Sequence, residues 1–85
     1  MITTEVFDIV DDREFTGTFK ARAIYHEGNE IELTDWRCVN ISEIIYANDI
    51  LQFKPITNDE YKRVLFHLEP LAEEQIRLEL AQNQE

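Results

Sequence analysis

The stretch FTGTFKARAIYHEGNEIELT, residues 15–34, alternates in a way that only extended chain satisfies. Phe15, Gly17, Phe19, Ala21, Ala23 and Tyr25 share one face of a strand, with Thr16, Thr18, Lys20 and Arg22 on the other and Ile24 breaking the pattern. Ile31 and Leu33, set against Glu30, Glu32 and Thr34, read as a second strand. Between them His26, Glu27 and Gly28 make a three-residue hairpin loop in which Gly28 takes the left-handed conformation that glycine adopts without steric cost. That loop pairs Tyr25 with Asn29, Ala23 with Ile31 and Ala21 with Leu33, and it sets Arg22 opposite Glu32.

Towards the N-terminus, Glu5 to Val10 is rich in β-branched and aromatic residues, and Asp11-Asp12-Arg13 interrupts it, as expected of a first strand feeding the second. A short helix capped by Thr4 and carrying Val6, Ile9 and Val10 satisfies the same few residues. In the other direction, Trp36 to Ile41 continues or succeeds the second strand. Ser42 to Ala47 reads as a capped helical turn or as a strand near Ile44 to Tyr46 that ends at the Asn48-Asp49 turn. A last strand runs from Ile50 to Lys54 and stops at Pro55.

Beyond Pro55 the period changes to that of a helix. Thr57 and Glu60 have the spacing of a capping box, and Tyr61, Val64, Leu65 and Leu68 come after them at i, i+3, i+4 and i+7. Pro70 suits the first turn of a second helix, where a missing N–H costs nothing, and Glu73 and Arg77 stand four apart within it. The expected fold is α+β in one domain. An antiparallel sheet of four to five strands over residues 4–55 is covered by one or two C-terminal helices, 58–68 and 70–82, and Gln82 to Glu85 is expected to fray. The second helix has more apolar surface than one packing face uses, and Leu71, Leu78 and Leu80 are the residues through which a homodimer would self-associate.

Charge bounds the function. Eighteen Asp and Glu stand against eight Lys and Arg in 85 residues, a formal net of −10. A field of that sign repels DNA, RNA and anionic lipid and favours a basic protein surface, so direct nucleic-acid binding is not expected. Cys38 is the only cysteine, so no intrachain disulfide forms and a cytoplasmic site is the expectation. Met1 to Glu5 lacks the basic and apolar regions of an export signal, and no apolar run approaches a membrane span.

Chemistry finds little purchase. Gly17 and Gly28 are too isolated for a phosphate cradle, and Cys38, His26 and His67 lack the clustering a metal site needs. Ser42 and Cys38 have no base at a telling spacing. No catalytic residue, cofactor or metal is expected, and the chain is read as non-enzymatic. The densest acidic run is Glu27, Glu30, Glu32 and Asp35, with Asp11 and Asp12 at another turn of the same sheet. Carboxylates spaced along a rigid strand imitate a row of phosphates, which suits a small regulator that binds a basic partner, as an inhibitor or nucleic-acid mimic does. A structural subunit that self-associates through its C-terminal helix is the alternative.

Overall fold

A computed structural model describes residues 1–82. Four strands, β1 (Ile2–Val10), β2 (Arg13–Tyr25), β3 (Ile31–Ala47) and β4 (Ile50–Pro55), form one antiparallel sheet in the order β1-β2-β3-β4, and α1 (Asn58–Gln82) crosses one face. The fold is α+β, as the alternation and the helical period require. Gln82 closes the helix, and the rest of the expected frayed end lies outside the described residues.

Two of the connections are minimal. Asp11 and Asp12 have φ of 52° and 62°, and Asn48 and Asp49 have φ of 53° and 62°. Both central residues of each turn are thus left-handed, the mirror-image geometry whose twist matches the flanking strands and which Asn and Asp tolerate best. The third connection corrects the expected register. Gly28 and Asn29 are both left-handed, and His26 N–H donates to Glu30 C=O at 2.9 Å, closing a loop of residues 26–30. Tyr25 therefore pairs with Ile31, Ala23 with Leu33 and Ile24 with Glu32, while Arg22 faces Thr34. The slip is two residues, so each side chain keeps its face.

β3 is one strand where two were expected, because it is bulged twice. Ala21 stands between pairs made by Lys20 with Arg37 and Arg22 with Thr34, leaving Asp35 and Trp36 opposite it. Thr18 pairs with Asn40 and Phe19 with Cys38, leaving Val39 unpaired. Each extra residue reverses the parity of the strand beyond it. Ile31 and Leu33 face the helix, then Trp36 and Cys38, then Ile41. Trp36 thereby stacks on Phe19, with ring centroids 5.5 Å apart.

The core lies between α1 and the inner face of the sheet. Val64, Leu68, Ala72, Ile76 and Leu80 are its helical contribution, and Val6, Val10, Phe15, Phe19, Ala21 and Ile41 meet them. The two predicted helices are one helix of 25 residues, about 37 Å long, with Pro70 inside it. Pro70 deprives the Phe66 carbonyl of its donor, but Phe66 and Pro70 both face solvent, where water can replace it. Leu68 and Ala72, buried on either side of the break, hold both halves to the sheet. The buried helical residues recur every four positions, so the stripe drifts about 40° per step around the helix as α1 crosses a twisted sheet. Leu80 belongs to this stripe. It packs with Ala21 and Ile76 and is not available for self-association, whereas Leu71 and Leu78 remain exposed.

The helix packs tightly on the sheet at Gly17. A methyl built there would stand 3.0 Å from Leu68 Cδ1 and 3.0 Å from Phe19 Cε2. Gly17→Ala is therefore expected to destabilise by about 1–3 kcal/mol through overpacking, and Leu68→Ala by about 2–5 kcal/mol through the cavity it leaves. The double variant recovers part of the loss, because the new methyl enters vacated space. Denaturant unfolding of the three variants measures this.

Candidate functional site

The six carboxylates singled out in the sequence do not converge. Asp11 and Asp12 form the β1–β2 turn, and Asp11 pairs with Arg63 of the helix at 2.9 Å. Glu27 and Glu30 occupy the β2–β3 loop, at the far end of β2, a strand of 13 residues spanning about 43 Å. Glu32 lies beside that loop and contacts His26 at 2.9 Å. Asp35, left-handed at φ 52°, is turned by its bulge towards Arg22 at 3.1 Å. The structure thus brings Glu27, Glu30 and Glu32 together at the tip of the β2–β3 hairpin. It places Asp35 further down β3 against an arginine, and Asp11 and Asp12 at the opposite end. Arg77 Nη1 donates to the Ile31 carbonyl at 3.0 Å, which brings the last turns of α1, with Glu79, to the Glu27 end of the molecule as well.

The strongest electrostatic cluster has no signature in the sequence. The Arg13 guanidinium donates from Nε and Nη2 to Glu43 at 3.0 and 2.6 Å, and Nη1 pairs with Glu60 Oε2 at 2.6 Å. It also lies over the Phe15 ring, 5.2 Å from the centroid. Hydrogen bonding to Glu43, then to Glu60, raises the pKa of the guanidinium still further. The same guanidinium holds both carboxyls below their ordinary range, in each case chiefly by its hydrogen bond and against partial burial. Glu60 closes the capping box as well: its N–H donates to Thr57 Oγ1 at 3.3 Å, and the Thr57 hydroxyl donates back to its carboxylate at 3.3 Å. One arginine ties β2, β3 and the first turn of α1 together.

Cys38 is half-buried beneath α1, with Sγ 3.8 Å from the Asn40 carbonyl. The Tyr61 hydroxyl is pushed up to about 12 by hydrogen bonding to Cys38 and by burial. His67 is exposed, edge-on to Phe66 at 5.9 Å between ring centroids. Among the described residues no group of three or more His, Cys, Asp or Glu is placed to hold a metal, and no helix is long and apolar enough to cross a membrane.

The face of the sheet turned away from α1 is uncovered. Phe7, Ile44, Tyr46, Leu51 and Phe53 wall a groove of about 550 Å³ whose floor is Thr16, Thr18, Asn40 and Ser42. Lys20, Arg22 and Arg37 continue the same face by register. Phe15 and Phe19 are core, as their alternation demands, but other aromatics join the cations outside. Phe7 on β1, Ile44 and Tyr46 on β3, and Leu51 and Phe53 on β4 meet only through the three pairings of the sheet, so no local pattern in the sequence groups them.

No family model, no curated protein and no solved structure matches the chain.

Glu43 and Glu60 have lowered pKa values in the folded state, so the stability they contribute is present above the unfolded carboxylate pKa and is lost as pH falls through their folded values. Wild-type protein should keep a constant Tm from neutral pH to the ordinary carboxylate range and lose stability below it. Arg13→Met should start lower and show a shallower decline, as thermal unfolding followed by circular dichroism between pH 7 and pH 3 will measure.

Proposed function

We propose that this chain is a small non-enzymatic regulator that binds a protein partner with a basic surface, through the carboxylates at the tip of the β2–β3 hairpin. The reading is carried by one observation: Glu27 and Glu30 are exposed and neither pairs with a lysine or arginine among the described residues. Glu32 adds a third carboxylate whose only ionic contact among those residues is a histidine. Three carboxylates on a short projecting loop suit insertion into a basic groove, in the manner of an inhibitor or nucleic-acid mimic. Asp35, Asp11 and Asp12 contribute less, since two of the three face arginines of their own chain and two lie at the other end.

Self-association through the helix is a weaker second reading. It rests on exposed Leu71 and Leu78 alone.

Glu27→Lys with Glu30→Lys reverses charge at exposed loop positions and should leave the circular dichroism spectrum unchanged. Immobilised wild-type protein is expected to retain a basic protein from native lysate at low salt and release it at high salt, with the double variant retaining at least about tenfold less. Retention by the variant equal to that of wild type would contradict the proposal.

A further inference from the structure

The uncovered sheet face carries a pattern that the acidic tip does not use. At one end Phe7, Ile9, Tyr46, Leu51 and Phe53 are 52%, 57%, 70%, 47% and 60% exposed. Together they present on the order of 500 Å² of apolar surface, as large as the biggest patch on a typical monomer. The face is also almost neutral in a chain of net charge −10: Lys20, Arg22 and Arg37 stand against Glu5, Glu14, Glu32 and Asp35. Lys20 and Arg37 are direct cross-strand neighbours, a repulsive arrangement, and neither forms an ion pair among the described residues.

We propose that this face is the interface of a two-fold homodimer in which two sheets stack face to face, about an axis perpendicular to the strands that passes between Thr16 and Thr18. A half-turn about that axis lays Glu14 against Lys20 of the second copy, Thr16 against Thr18, Ser42 against Asn40 and Ile44 against the stem of Arg37. The tall apolar end of each sheet covers the low polar end of the other, at the spacing of about 10 Å usual for packed sheets. The polar floor tolerates cover because it is partly satisfied within its own chain: Thr16 Oγ1 donates to the Val6 carbonyl at 3.1 Å, and Asn40 Nδ2 to Ser42 Oγ at 3.4 Å. The apolar patch with the floor and the two cation stems approaches the roughly 800 Å² per partner that a stable interface needs. With three cations against four carboxylates, this face lets two acidic copies meet with little repulsion.

Sedimentation velocity from micromolar to millimolar protein tests this. The mass is expected to double with concentration, and the dimer to tighten as salt screens the net charge, the opposite of the salt response of the acidic tip. Glu14→Lys and Lys20→Glu should each weaken association about tenfold or more, and the two together should restore it. Tyr46→Asp with Phe53→Asp should give a folded monomer by circular dichroism, while Leu78→Glu leaves the dimer intact. A monomer at every concentration, a dimer abolished by Leu78→Glu, or a charge swap that fails to restore association would overturn the proposal.

Discussion

Leu68 seated over Gly17 is the contact on which the architecture depends. A methyl at position 17 would press on Leu68 Cδ1 and Phe19 Cε2, which already close the space above it, so those side chains must shift to admit it. From that point the helix runs in both directions along β1 and β2. Val64 reaches the Val10 end, where Arg13 joins Glu43 and Glu60, and Leu80 reaches Ala21 and Ile2 at the other. Gln75 Nε2 donates to the Thr4 hydroxyl and, at 2.9 Å, to the Glu5 carbonyl, satisfying a buried polar side chain and one carbonyl of the edge strand. Because a single helix does all this, one face of the sheet is closed and the other is left open. The uncovered sheet face and the projecting hairpin tip both result from that asymmetry.

The residues are legible where one local rule acts alone. The alternation from Phe15 to Ala23 gives β2 and its core face, and the Thr57 and Glu60 pair gives the start of α1. Legibility fails where tertiary packing overrides a local signal. Pro70 is a legitimate helix start in isolation, yet the sheet beneath Leu68 and Ala72 holds the chain helical through it. The four-residue recurrence of buried positions drifts around the helix, so Leu80 resembles spare apolar surface in the sequence although it is core. In β3 the bulges at Asp35 and Val39 each invert the pattern, and a strand whose parity changes twice resembles two strands.

The candidate sites divide along the same line. That Glu27, Glu30 and Glu32 project from one hairpin is legible, since hairpin residues are neighbours in sequence. That Asp11 and Asp12 are separated from them by the length of β2, and that Arg22 and Arg63 meet two of the six carboxylates, depends on register and on the helix path, which no local pattern carries. The open apolar face is assembled from β1, β3 and β4 and is illegible for the same reason. The outcome is a long molecule of 50 × 27 × 20 Å with carboxylates concentrated towards its ends and a nearly neutral sheet face between them.

Nuclear Overhauser contacts in isotopically labelled protein test the central claim most directly. An unbroken helix on a single face predicts contacts of the Leu68 methyls with Gly17 Hα and of the Leu80 methyls with Ala23, and no intramolecular contact between α1 and Phe7 or Tyr46. A helix that breaks at Pro70 and folds its second half, from Leu71 onward, against those two rings would contradict it.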